Sequence, residues 1–193
     1  MASDAAGKQD RTYPLVALRA LHARQGQLCN MVERLADALP SVETKTCLAT
    51  AWAVTTVIGP LHVLEEEAFF PLLERRLPTS SGICSSTSRS RQEHAEDRDA
   101  ATEVISNLKW LVDGCSRQEI DLVAYQLRAF FVALRRHEAR EIEVMFQQAA
   151  KMFTDEDQSD LAAALKRCLG KAEHDWSGLV VDLPSADQFP ETW

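Results

Sequence analysis

Histidine and glutamate recur at one spacing twice in this chain, as His62-x-x-x-Glu66 and His137-x-x-x-Glu141, while His22 and His94 lie in other stretches of helical pattern. Four residues make about one helical turn, so each pair shares a face with its Cβ atoms roughly 5–6 Å apart. Imidazole nitrogens and carboxylate oxygens so placed are donors for a divalent metal such as iron, zinc or manganese. One such pair carries little weight in a chain with 29 acidic residues. Four histidines and two glutamates, delivered by four helical stretches, carry more, provided the fold brings them to one level.

Other reactive residues suggest no competing site. Cys29, Cys47, Cys84, Cys115 and Cys168 are scattered without a C-x-x-C, which argues against a disulfide framework or a thiolate zinc site. Cys29 follows His22 on the same stripe and reads as a small buried hydrophobe. Glu65 and Glu67 read as a solvated acidic face, and His174 as a surface residue. Ser-His-Asp triads, phosphate-binding glycine loops and redox dithiols are not visible.

Composition narrows the class. A chain of 193 residues with 46% hydrophobic content can bury one real core. A net charge of -8 disfavours nucleic acid and anionic membranes, because both demand clustered Lys and Arg. The N-terminus lacks the apolar segment of a secretory signal, and no stretch reads as a membrane span, so a cytoplasmic protein is expected.

The elements that would position the donors are helices. Residues 1–12 are small and polar and read as disordered. Leu15, Leu18, His22, Cys29, Val32 and Leu35 mark a first helix that Pro40 closes. A second starts after Ser41; Pro60 should kink or divide it just ahead of His62, and Pro71 ends it. The serine-rich stretch 78–90 reads as a loop. A third helix runs from about Arg91 to Val112 and stops at Asp113-Gly114. The fourth, from Arg117 to about Phe153, repeats Leu127, Phe130, Leu134, His137, Glu141, Val144 and Met145 at three and four residues. Thr154 is the expected N-cap of a short fifth helix within 154–178, and 179–193 reads as an extended tail.

With no β-type alternation, these segments predict an all-α fold, an up-down-up-down four-helix bundle over 13–153. Alternating direction places His22 and His62 at similar distances from the first turn. His94 and His137 lie at similar distances from the third. All four can converge.

These residues resemble the hemerythrin-like domains, also called HHE cation-binding domains, over roughly Leu15 to Phe153. The signature is Leu-His-Val-Leu-Glu-Glu-Glu-Ala-Phe-Phe-Pro-Leu-Leu-Glu in the second helix. The fourth-helix segment Arg-His-Glu-Ala-Arg-Glu-Ile-Glu-Val-Met-Phe is similar but lacks the closing proline. The resemblance implies a non-haem centre of two iron ions, or another divalent metal. His22, His62, His94 and His137 would be terminal ligands, and Glu66 and Glu141 carboxylate bridges. The oxygen-carrying members offer a second third-helix histidine where this chain has Arg98, so the site has fewer nitrogens. Glu65, Glu138, Asp97 or water are the candidates for that place.

The expected function is a di-iron binding protein that responds to oxygen, redox state or iron through an open coordination position. Its small ligand would be dioxygen, nitric oxide or peroxide. A protein partner could approach through the serine-rich loop or the C-terminal tail. The alternatives are an enzyme turning over peroxide, dioxygen or nitric oxide at the same centre, and a metal-free helical adaptor.

Overall fold

The computed structural model describes residues 13–77, 82–114, 116–169 and 186–188. All of the regular structure is helical, as the sequence predicts. Helix α1 spans Tyr13–Ala38 and α2 Thr44–Leu64. A π-helical turn, Glu65–Phe69, leads α2 without a break into α3, Phe70–Arg76. Helix α4 is Ile83–Asp113 and α5 Arg117–Arg140. A second π turn, Glu141–Phe146, leads into α6, Gln147–Met152, and α7 follows at Asp155–Leu169. A 3₁₀ turn lies at Ala186–Gln188. The N-terminal segment 1–12 and nearly all of 170–193 lie outside the described residues, so the expected disorder and tail are not addressed.

Three boundaries differ from the sequence reading. Pro60 neither divides α2 nor ends it; it sits on the exposed face, where solvent can stand in for the missing donor. Pro71 does not end the second rod either, because it falls in the first turn after the π segment, where a missing N–H is tolerated. The serine-rich stretch is helical from Ile83 onward. Ile83, Thr87, Ser90 and His94 are all buried, a stripe at helical spacing that polarity disguises. Thr87 donates to Glu74, which also accepts from Arg91 Nη1 at 2.7 Å. Gly114, at φ +89, supplies the left-handed stop after α4.

The expectation that no stretch could span a membrane also needs correction. Residues 46–64 contain no Asp, Glu, Lys or Arg, and the rod Thr44–Arg76 is long and apolar enough to cross one, although 61% of its apolar window is buried within the protein.

The described residues fall into two compact units. In the first, comprising 13–23, 60–77, 82–92 and 138–169, the core is Leu18, Leu64, Phe69, Phe70, Leu73, Phe146, Leu161 and their neighbours. Helix α7 is fastened there through Asp157, fully buried, which accepts from Arg75 Nη2 at 2.6 Å and Arg76 Nε at 2.7 Å. Thr154 and Asp157 also form a capping box, with Thr154 N–H donating to Asp157 Oδ2 at 2.8 Å, so the predicted N-cap is in place. In the second unit, comprising 24–59, 93–114, 116–137 and 186–188, the core is Leu28, Val32, Leu35, Val54, Ile58, Leu108, Leu127 and Leu134. Trp52 and Trp110 stay out of both cores, at 40% and 51% exposure.

Candidate metal centre

All four expected histidines are buried: His22 and His94 at 0% exposure, His62 at 1% and His137 at 3%. Helical periodicity is the cause. Each sits where an apolar residue would continue the inner stripe, His22 beside Leu18 and Leu21, His137 beside Leu134.

Within the first unit, His22, Glu65 and Glu141 come together, and each offers a donor atom within 4.8 Å of the others. His22 Nε2 lies 2.8 Å from Glu65 Oε1, both side chains being buried. Burial alone would lower the His22 pKa, but Glu65, with Glu141 and Glu138 behind it, outweighs that and holds the imidazole above its ordinary value. The negative field that favours a proton there equally favours a metal cation. Phe146 packs edge-on to the His22 ring at 5.0 Å and Phe69 stands 5.1 Å from Phe146, an aromatic wall on one side of the group.

The carboxylate beside His22 is Glu65, where Glu66 is the expected one. Glu65 is 0% exposed and Glu66 only partly buried. The expectation rests on an α-helical four-residue turn, whereas Glu65 opens a π segment in which Phe70 N–H reaches back five residues to the Glu65 carbonyl. The widened turn breaks the register from which Glu66 was inferred. A signal was present in the sequence: His62, Glu65 and Phe69 follow the three-then-four spacing of a core stripe. Glu141 is 2% exposed and likewise opens a π turn.

Within the second unit, the rings of His94 and His137 lie 4.9 Å apart, centre to centre. His137 Nδ1 donates to Asp97 Oδ2 at 2.8 Å, both side chains being buried. A carboxylate can only accept, so the contact places the proton on Nδ1 and leaves Nε2 as the lone-pair nitrogen. Carboxylate–histidine pairs of this kind orient metal ligands and raise their basicity. Asp97, considered from sequence as a donor for the vacated histidine position, thus meets His137. Its neighbour Arg98 is exposed. His62 belongs to the first unit, three residues ahead of Glu65.

The donor set fits a divalent metal on electrostatic grounds. Glu65, Asp97 and Glu141 are buried, and among the described residues no lysine or arginine is. Buried carboxylates gathered beside buried imidazoles are donors that a divalent cation satisfies at low desolvation cost.

No curated protein and no solved structure matches the chain. Residues 13–149, most of the chain and including the four buried histidines with Glu65, Asp97 and Glu141, match the hemerythrin HHE cation-binding domain, and the protein belongs to that family.

Proposed function

We propose that this protein holds two non-haem iron ions. His22, Glu65 and Glu141 would be ligands, and His62, His94 and His137, each buried in its own unit, would be the further nitrogen donors that membership of the family implies. The observation that carries the reading is that His22, Glu65 and Glu141, all buried, each offer a donor atom within 4.8 Å of the others. Two ferrous ions bring the positive charge that Glu65, Glu141 and Asp97 call for. Mixed imidazole and carboxylate donors suit iron, with zinc or manganese as competitors.

Iron held by these residues would supply redox chemistry toward dioxygen, nitric oxide or peroxide, and a response to oxygen, redox state or iron supply would rest on it. The chain's own residues set the conditions. Asp97 keeps the proton on His137 Nδ1 so that Nε2 remains a donor. Phe69 and Phe146 keep water from one side of His22. Arg98 is exposed where the resemblance to the oxygen carriers implies a further histidine, so this chain would supply one nitrogen donor fewer there and a small ligand could take its place.

Elemental analysis of protein expressed with iron, joined to absorption spectra before and after air, tests this. About two irons per chain and new near-ultraviolet or visible bands on exposure are expected. A protein with a single zinc, or one that stays colourless and unchanged in air, refutes it.

A further inference from the structure

Helix α5 carries a second apolar stripe that the core does not use. Its buried side is Val123, Leu127, Phe130 and Leu134. About 140° around the helix, Leu122, Tyr125, Ala129 and Val132 recur at intervals of three, four and three. Leu122 is 50% exposed, Tyr125 71% and Val132 55%, and Ala129 is exposed as well. Single exposed hydrophobes are ordinary, but a row at the spacing of a helix–helix seam marks a surface that pairs.

We propose that this stripe pairs with the same stripe of a second copy of the chain, antiparallel and about a two-fold axis. Two observations select this occupant. The first is shape. Centred between Tyr125 and Ala129, an antiparallel pair sets the large Tyr125 against the small Ala129 of the partner subunit, and Leu122 against Val132 of the partner subunit. The two-fold axis repeats both matches, so the stripe is complementary to itself. The second is charge. Asp121 flanks the start of the stripe and Arg136 continues it past Val132, both exposed. Antiparallel pairing brings each toward the other's opposite charge, whereas parallel pairing sets like beside like. The proposal is independent of any metal, since it uses none of the residues placed at the metal centre.

The test is the mass of the full chain in solution by sedimentation or light scattering over a range of concentrations. A species of twice the 21.5 kDa chain mass, dissociating on dilution, is expected. Tyr125→Glu changes a side chain that is 71% exposed, so helical content stays the same while the dimer dissociation constant rises about tenfold or more. Asp121→Arg and Arg136→Asp each weaken the dimer severalfold, and the double variant regains most of the loss. Val16→Glu, at a site 58% exposed in the other unit, leaves the mass unchanged. A chain monomeric at every concentration overturns the proposal. So does a dimer indifferent to Tyr125→Glu, or a double variant no tighter than the single ones.

Discussion

Glu65→Ala and Glu66→Ala remove the same group from adjacent positions, and the fold predicts unequal results for metal binding. Glu65 is wholly buried with an oxygen 2.8 Å from His22 Nε2, whereas Glu66 is partly exposed. Loss of a group that only orients a metal ligand costs about 10–100-fold in affinity. Loss of a donor should cost at least the upper part of that range, so Glu65→Ala is expected to weaken binding about 100-fold or more, near 2.7 kcal/mol. Glu66 is partly exposed, and since even a contact between unit charges in water is worth only about 1 kcal/mol, Glu66→Ala is expected to cost no more than roughly fivefold. The assay is anaerobic titration of the metal-free protein with ferrous ion against a competing chelator, with circular dichroism confirming that both variants stay helical. A Glu66→Ala protein that loses as much affinity as Glu65→Ala, both remaining folded, would refute the assignment.

Asp97→Asn keeps the shape of the side chain but removes the carboxylate that fixes the His137 proton, and a 10–100-fold drop in metal affinity with unchanged helicity is expected; unchanged affinity would reduce the contact to packing. Asp157→Asn weakens the charged hydrogen bonds that hold α7 to Arg75 and Arg76, at about 1.5–3 kcal/mol, or a fall in melting temperature of roughly 3–12 °C for a chain of this size. Burial alone would raise the Asp157 pKa, but Arg75, Thr154 and Arg76 together hold it far below the ordinary carboxylate value. Its contribution is therefore complete above the unfolded pKa of about 4 and fades as pH falls toward the folded one. Acid titration of stability should thus be steeper in the natural chain than in Asp157→Asn, and identical acid limbs would contradict the argument.

The helices and their histidines were readable because burial and chemistry share one period. His22, His94 and His137 occupy core-stripe positions, so the same three-and-four spacing that predicts a helix also predicts which way each imidazole faces. What stayed hidden has local causes. Thr87 and Ser90 are core residues of α4 with polar names, and composition assigned them to a loop. The role of Asp97 depends on His137, forty residues away, and no local pattern announces such a pair. Glu65 is passed over for Glu66 in the sequence because three and four residues after His62 both fall on its face of a helix, and three consecutive glutamates do not say which of them continues the core stripe.

Each π turn begins on a carboxylate of the candidate centre, Glu65 in one rod and Glu141 in the other. A π turn holds one residue more than the helix on either side needs, so it acts as an inserted spacer. Everything beyond it is rotated relative to everything before it, so the buried stripe that Phe69 and Phe70 continue is offset from the one that ends at Glu65. Aligned relatives that lack the extra residue would show a one-position gap at these sites. Counting along the helix across such a gap would shift every position on its far side by one.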